Sequence, residues 1–124
     1  MDSCNRLEKG HHAEDQACQF LQAKGFRLLQ RNYRCYHGEI DLIMQDQEHI
    51  VFVEVRSRQR TDYGNAVESI TKSKINKLIK TAKHFLQIRK WLYRVNSRFD
   101  VIAIHPVEGK MQLEWIKNAF EAKI

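Results

Sequence analysis

Gly38-Glu39-Ile40-Asp41-Leu42-Ile43-Met44 and Ile50-Val51-Phe52-Val53-Glu54-Val55-Arg56, joined through Asp46-Gln47-Glu48, read as two strands and the turn between them. The first run alternates polar and apolar side chains, and the second is β-branched and aromatic through most of its length. Successive strand side chains point to opposite faces. Glu39, Asp41 and Ile43 are therefore expected on one face of their strand, and Phe52, Glu54, Arg56 and Arg58 on one face of the next. A turn centred on Gln47-Glu48 sets Asp41 opposite Glu54 and Glu39 opposite Arg56. A two-residue slip instead sets Glu54 opposite Glu39, with Asp41 on the diagonal. Carboxylates converge in both registers.

The flanking sequence extends this hairpin. Residues 26–34 are extended and Tyr36-His37-Gly38 is a turn, which makes an antiparallel meander of three strands. Ahead of it, Ala13, Ala17, Phe20 and Leu21 recur at helical spacing and Gly25 stops the helix, giving a first helix over 12–24. After it, residues 69–87 form a second helix. Ile75, Leu78, Ile79, Ala82 and Leu86 make its apolar stripe, with Lys77, Lys80 and His84 on the other side. Strands over 99–105 and 111–116, separated by a turn at Gly109, precede a helical tail. The order is α-β-β-β-α-β-β, a mixed α/β (α+β) class with a central sheet flanked by helices. The expected organisation is one domain over 1–124, with a flexible end at 1–10 and a polar loop or mobile arm at 59–65.

Composition narrows the function. The chain carries 43% hydrophobic and 29% charged residues with one proline, which is globular and excludes collagen-like or low-complexity classes. No apolar run approaches the ~20 residues of a membrane-spanning helix, and no secretory signal opens the chain, so a cytoplasmic protein without a membrane partner is expected. Cys4, Cys18 and Cys35 are widely spaced and odd in number, and read as reduced thiols. The net charge is +6, but residues 72–94 hold eight basic and no acidic side chains, leaving 13 basic against 15 acidic elsewhere. The positive field thus belongs to the second helix and the short segment after it. It suits a polyanion, nucleic acid ahead of a membrane surface, through sequence-independent phosphate contacts by Lys72, Lys77, Lys80 and Lys83.

The converging acids point to chemistry. Opposed like charges with Cβ atoms about 4.5–5.5 Å apart destabilise a sheet unless something positive lies between them. A divalent cation meets that need, since Mg²⁺ is held by one or two carboxylates and keeps positions for water and phosphate oxygens. Cross-strand ion pairs with Arg56 and Arg58 at a solvated edge are the other reading of the same residues. Glu14 falls beside Leu21 at the border of the first helix's apolar stripe. It either faces the sheet or simply complements the macrodipole near a helix start. Trp91, Tyr93 and Phe99 are assigned to packing, and the adjacent His11 and His12 point too far apart for one ion. Walker, dinucleotide-binding, zinc and serine-hydrolase motifs do not occur.

Gly10, Glu14, Ala17, Arg31-Asn32-Tyr33-Arg34, Gly38-Glu39-Ile40-Asp41-Leu42-Ile43, Val51-Phe52-Val53-Glu54-Val55-Arg56-Ser57-Arg58, Lys74 and Arg98-Phe99-Asp100-Val101-Ile102 together resemble the bacterial YraN family. The match covers nearly the whole chain. The resemblance implies a restriction-endonuclease-like core, similar to archaeal Holliday junction resolvases, with a PD-(D/E)XK type site. It places the motif acids at Asp41 and Glu54 and the helix-borne acid at Glu14. The motif lysine position holds Arg56, which cannot act as a base. Lys74 is then either a migrated lysine or a phosphate-binding or solvated side chain. The implied cofactor is Mg²⁺ or Mn²⁺ on Asp41, Glu54 and the Val55 carbonyl, and the implied activity is hydrolysis of DNA, branched or damaged, by a homodimer. A non-catalytic nucleic-acid-binding module with the same fold is the alternative, and a protein-interaction domain a third.

Overall fold

The computed structural model describes residues 12–57, 67–122 and 124. Its elements are α1 (His12–Ala23), β1 (Arg27–Cys35), β2 (Gly38–Asp46), β3 (His49–Ser57), α2 (Lys72–Ile88), β4 (Asn96–Val107) and β5 (Lys110–Ile116). The expected flexible end and mobile arm, together with Cys4, His11 and Arg58, lie outside the described residues. The five strands form one sheet in the order β1-β2-β3-β4-β5, antiparallel throughout except for the parallel β3–β4 pair. Parallel neighbours need a long crossover, and α2 lies within this one. The result is a mixed α/β fold with a restriction-endonuclease-like core.

Each helix covers one face. Ala17, Cys18 and Leu21 of α1 pack with Leu42, Met44, Val51, Val53, Ile102 and Ile104. Leu78, Ala82, Phe85 and Leu86 of α2 pack with Ile43, Ile50, Phe52 and Phe99 on the other face. A strand covered on both faces buries both sets of its side chains, which is why Ile50, Val51, Phe52 and Val53 are all buried. α1 ends where expected: Gly25 takes φ +96 and lets the Phe26 N–H reach back to the Leu21 carbonyl at 3.0 Å. α2 starts three residues later than its apolar period suggests. Thr71 caps it, its hydroxyl accepting from the Lys74 N–H at 3.1 Å, while Ile70 is buried in a separate cluster.

Several expectations are corrected. The segment after β5 is not helical in its described residues. Instead the Ala119 N–H donates to the Phe99 carbonyl at 2.7 Å, and the Phe120 ring stacks on Phe99 with centroids 5.1 Å apart. A tail of this length is too short to repay helix nucleation, and docking wins. Tyr93 is 80% exposed and does not pack in the core, whereas Phe99 and Trp91 do. His84 is half-buried, sharing a hydrogen bond through Nδ1 with the Tyr33 hydroxyl. Cys35 is a free thiol, but Cys18 is disulfide-bonded, since an odd count still allows one bridge.

Candidate functional site

The hairpin turn decides which backbone groups meet. β2 and β3 pair around Gln47-Glu48, with Asp46 opposite His49 and Leu42 opposite Val53. This is the first of the two registers, and one further step would set Asp41 opposite Glu54. In a two-residue hairpin the closing pair exchanges backbone bonds, as does every second pair after it. By that parity Val55 turns its N–H and C=O toward β2, where Ile40 should meet it. The ladder stops short, however, and the Val55 N–H donates to Asp41 Oδ2 at 2.9 Å. The strands part where the two acids lie.

A second irregularity sits across from Asp41. Pairing of β1 with β2 keeps one register from Arg31↔Leu42 to Tyr33↔Ile40, with Asn32, whose φ is +51, and Asp41 both left out of the ladder between them; the register shift of this pair lies earlier, between Leu28 and Gln30. Asparagine tolerates this left-handed conformation better than most residues. β2 breaks its own alternation at the same place. Ile40 and Ile43 both belong to the cluster under α2, while Leu42 and Met44 belong to the cluster under α1. The single face expected for Glu39, Asp41 and Ile43 is therefore interrupted at Asp41 itself.

Both helices deliver charge to this place. From α1, Glu14 Oε1 accepts from Asn32 Nδ2 at 3.0 Å and from Arg31 Nη2 at 3.4 Å, and Arg31 Nη1 lies 2.7 Å from Asp15 Oδ1. Glu14 thus faces the sheet, as the first of its two readings has it. From α2, Lys74 Nζ lies 3.6 Å from Glu54 Oε2, and Arg56 Nη1 lies at the same distance. Arg56 also donates through Nη2 to the Ser69 hydroxyl at 3.2 Å. Glu54 is buried at 6% exposure. Glu39 is held by Arg34 Nε at 2.6 Å.

Asp41 differs from the other acids. Its polar partner is the Val55 amide, and among the described residues no cationic side chain pairs with it. Burial raises its carboxyl from 3.8 to about 8, reinforced by the charge of Glu54 and, more weakly, of Glu14 and Glu39; the Val55 N–H opposes the shift. The shift favours the protonated, neutral form of Asp41 beside the charged Glu54.

Among the described residues no three His, Cys, Asp or Glu side chains come together as a set able to hold an ion. Glu14 adds its charge to that of the acid pair from the α1 side. Two carboxylates with a main-chain carbonyl do fit Mg²⁺ or Mn²⁺, which take hard oxygen donors and retain waters, and they do not fit a closed zinc cage.

The lysines divide. At 100° per residue, Lys77 lies on the same flank of α2 as Lys74, Thr81 and His84. That flank runs along the start of β2, where a Cβ on Gly38 would meet Thr81 Oγ1 at 3.3 Å and Lys77 Cβ at 3.7 Å. Lys72, Lys80 and Lys83 spread over the rest of the polar side, with Lys72 and Lys80 exposed and Lys83 half-buried. The four expected phosphate contacts all lie outside the apolar stripe, spread over an arc of about 140°. Pattern reading misses Asn32, Arg31, Asp15 and Ser69 as supports of the site. The one usable signal is Asn32, a residue of poor strand propensity inside an otherwise extended run.

Comparison with known proteins agrees with the resemblance. The profile of "Uncharacterised protein family UPF0102" matches residues 13–104. A UPF0102 protein of Nitrosococcus oceani is 44% identical over 123 residues, 99% of each chain. One from Ectopseudomonas mendocina is 46% identical over 122 residues, 98% of this chain and all of its own. One from Stutzerimonas stutzeri is 47% identical over 113 residues, 91% of this chain and 94% of its own. With the match running through both strands that carry Asp41 and Glu54, the chain belongs to the UPF0102, or YraN, family.

Proposed function

We propose that this protein is a metal-dependent nuclease hydrolysing phosphodiester bonds in DNA, with branched or damaged DNA as its substrate. One observation carries the reading: Asp41 is a carboxyl group crowded by Glu54, Glu14 and Glu39, and no cationic side chain among the described residues pairs with it. A fold gains nothing from such an arrangement unless something positive enters it. Asp41, Glu54 and the Val55 carbonyl would hold Mg²⁺ or Mn²⁺. Such an ion, when bound, polarises a phosphoryl oxygen and acidifies a water.

The remaining roles fall to neighbours. Arg56, always charged, stabilises the excess negative charge of the transition state. Lys74 neutralises the leaving oxygen or the adjacent phosphate, and Glu14 orients the attacking water. α2 opens with Lys72 and Lys74 and has no acid in its first turn. Cations there oppose the macrodipole and cost a few tenths of a kcal/mol, and an incoming phosphate reverses the sign. Lys72, Lys77, Lys80 and Lys83 contribute sequence-independent contacts around the helix. Cutting both strands of a branch takes two such centres, which a homodimer supplies, and a DNA substrate places the protein in the cytoplasm.

The test is an assay of branched, nicked and single-stranded DNA with Mg²⁺ or Mn²⁺, run beside Asp41→Asn. Cleavage is expected from the wild type, falling by at least about 100-fold in the variant. Binding without turnover would favour the second reading, a nucleic-acid-binding module. That reading draws on the position of Arg56 and Lys74, both 3.6 Å from Glu54 and able to neutralise it without metal.

A further inference from the structure

We propose that the tip of the β1–β2 hairpin is a stacking platform for unpaired DNA nucleotides, feeding single-stranded segments to the acid pair. The proposal rests on the DNA reading above and names the substrate form that this site selects. Tyr36 stands in the turn with 91% of its surface exposed. An aromatic ring held in water contributes nothing to the core.

The ring is nonetheless organised. It lies over His37 with centroids 4.0 Å apart and planes 34° apart. His37 meets His84 edge-on at 6.5 Å, and His84 is hydrogen-bonded to Tyr33, whose ring packs on the buried Phe85 at 5.2 Å. A file of rings thus runs from the core to the exposed face of Tyr36 and limits its freedom.

Positive charge lies beside the file. Lys77 is exposed, and its Cβ comes within 3.7 Å of the place a Cβ on Gly38, the residue that closes this turn, would take. The Arg34 side chain, 73% exposed, is paired with Glu39 at 2.6 Å, which leaves Lys77 as the cation for an incoming phosphate. Gly38 is three strand residues from Asp41, about 10 Å along β2. A base-stacking ring beside phosphate-neutralising cations is the combination that single-strand binders use without sequence preference. A base inside a duplex already has both faces covered by its neighbours, so the platform selects unpaired nucleotides.

The test uses fluorescence anisotropy of labelled oligothymidylate and of a labelled blunt duplex, in chelator so that no cleavage occurs. Wild type, Tyr36→Ala, Tyr36→Phe and Asp41→Asn are compared. Tyr36→Ala is expected to weaken single-strand binding by about tenfold and to leave duplex binding unchanged, with Tyr36→Phe close to wild type. Because the residue is exposed, the melting temperature should not move. Single-strand affinity unchanged in Tyr36→Ala, or an equal loss on the duplex, overturns the platform alone. No binding of either DNA form by the wild type overturns it together with the DNA reading, while intact binding without cleavage in the metal assay overturns only the catalytic reading.

Discussion

Asp100→Ala is expected to destabilise the protein by about 3–5 kcal/mol and to lower the melting temperature by roughly 10–20 °C, as followed by circular dichroism. Asp100 is fully buried in the middle of β4. Its carboxylate accepts from Arg98 Nε at 2.9 Å and Nη2 at 3.3 Å, from Trp115 Nε1 at 3.0 Å and from the Asn118 N–H at 2.9 Å. One side chain thereby ties β4 to β5 and to the docked tail. Truncation removes the acceptor shared by the indole N–H, the Asn118 N–H and the Arg98 guanidinium, which keeps only the longer contact to Asp46 at 3.8 Å, and it opens a cavity at a fully buried position. Asp100→Asn keeps the shape and loses the charge-assisted bonds, so its effect should be smaller. A loss below about 1 kcal/mol in the alanine variant would contradict this account of how the C-terminal strands are held.

Asp41→Asn is expected to do the opposite, raising stability at pH 8 by on the order of a few kcal/mol and by much less at pH 5, near the lower end of the window. The sign comes from proton counting. The Asp41 carboxyl is raised in the folded state from 3.8 to about 8 by burial and by Glu54. Between those values the native chain holds a proton that the unfolded chain has lost. Stability therefore falls as pH rises across that window, and asparagine, which does not ionise, removes the slope. It also keeps an oxygen for the Val55 N–H. Melting curves from pH 5 to pH 8 without divalent ions should show the two proteins diverging toward alkaline pH. Added Mg²⁺ should restore the wild type and not the variant. Parallel pH profiles would show that Asp41 carries no excess repulsion.

Much of the fold and of the acid pair is legible in the residues alone. The two-residue turn at Gln47-Glu48 sets the β2–β3 register, in which Asp46 faces His49 and the next step beyond Leu42↔Val53 sets Asp41 opposite Glu54, because loop length fixes hairpin pairing. Local periodicity also locates both helices and all five strands to within a few residues. Features outside the reach of periodicity stay hidden. The face pattern of β2 breaks at Asp41, across from the left-handed Asn32, and a strict two-residue period does not anticipate it. The Glu14–Asp15–Arg31 group joins residues far apart in sequence. Lys77 and Lys80 look equivalent as members of a basic run, and only the course of α2 over Gly38 sets them apart. His84 and Tyr93 exchange their expected roles because Tyr33 offers the first a buried partner.

Calorimetric titration of Mn²⁺ and Mg²⁺ into the apoprotein, near neutral pH and in two buffers of different ionisation enthalpy, tests the acid pair most directly. Binding is expected to release about one proton, from Asp41, and to disappear in both Asp41→Ala and Glu54→Ala. Binding that persists undiminished in those variants, or that releases no proton in the wild type, would contradict the assignment of these two carboxylates as the ion's ligands.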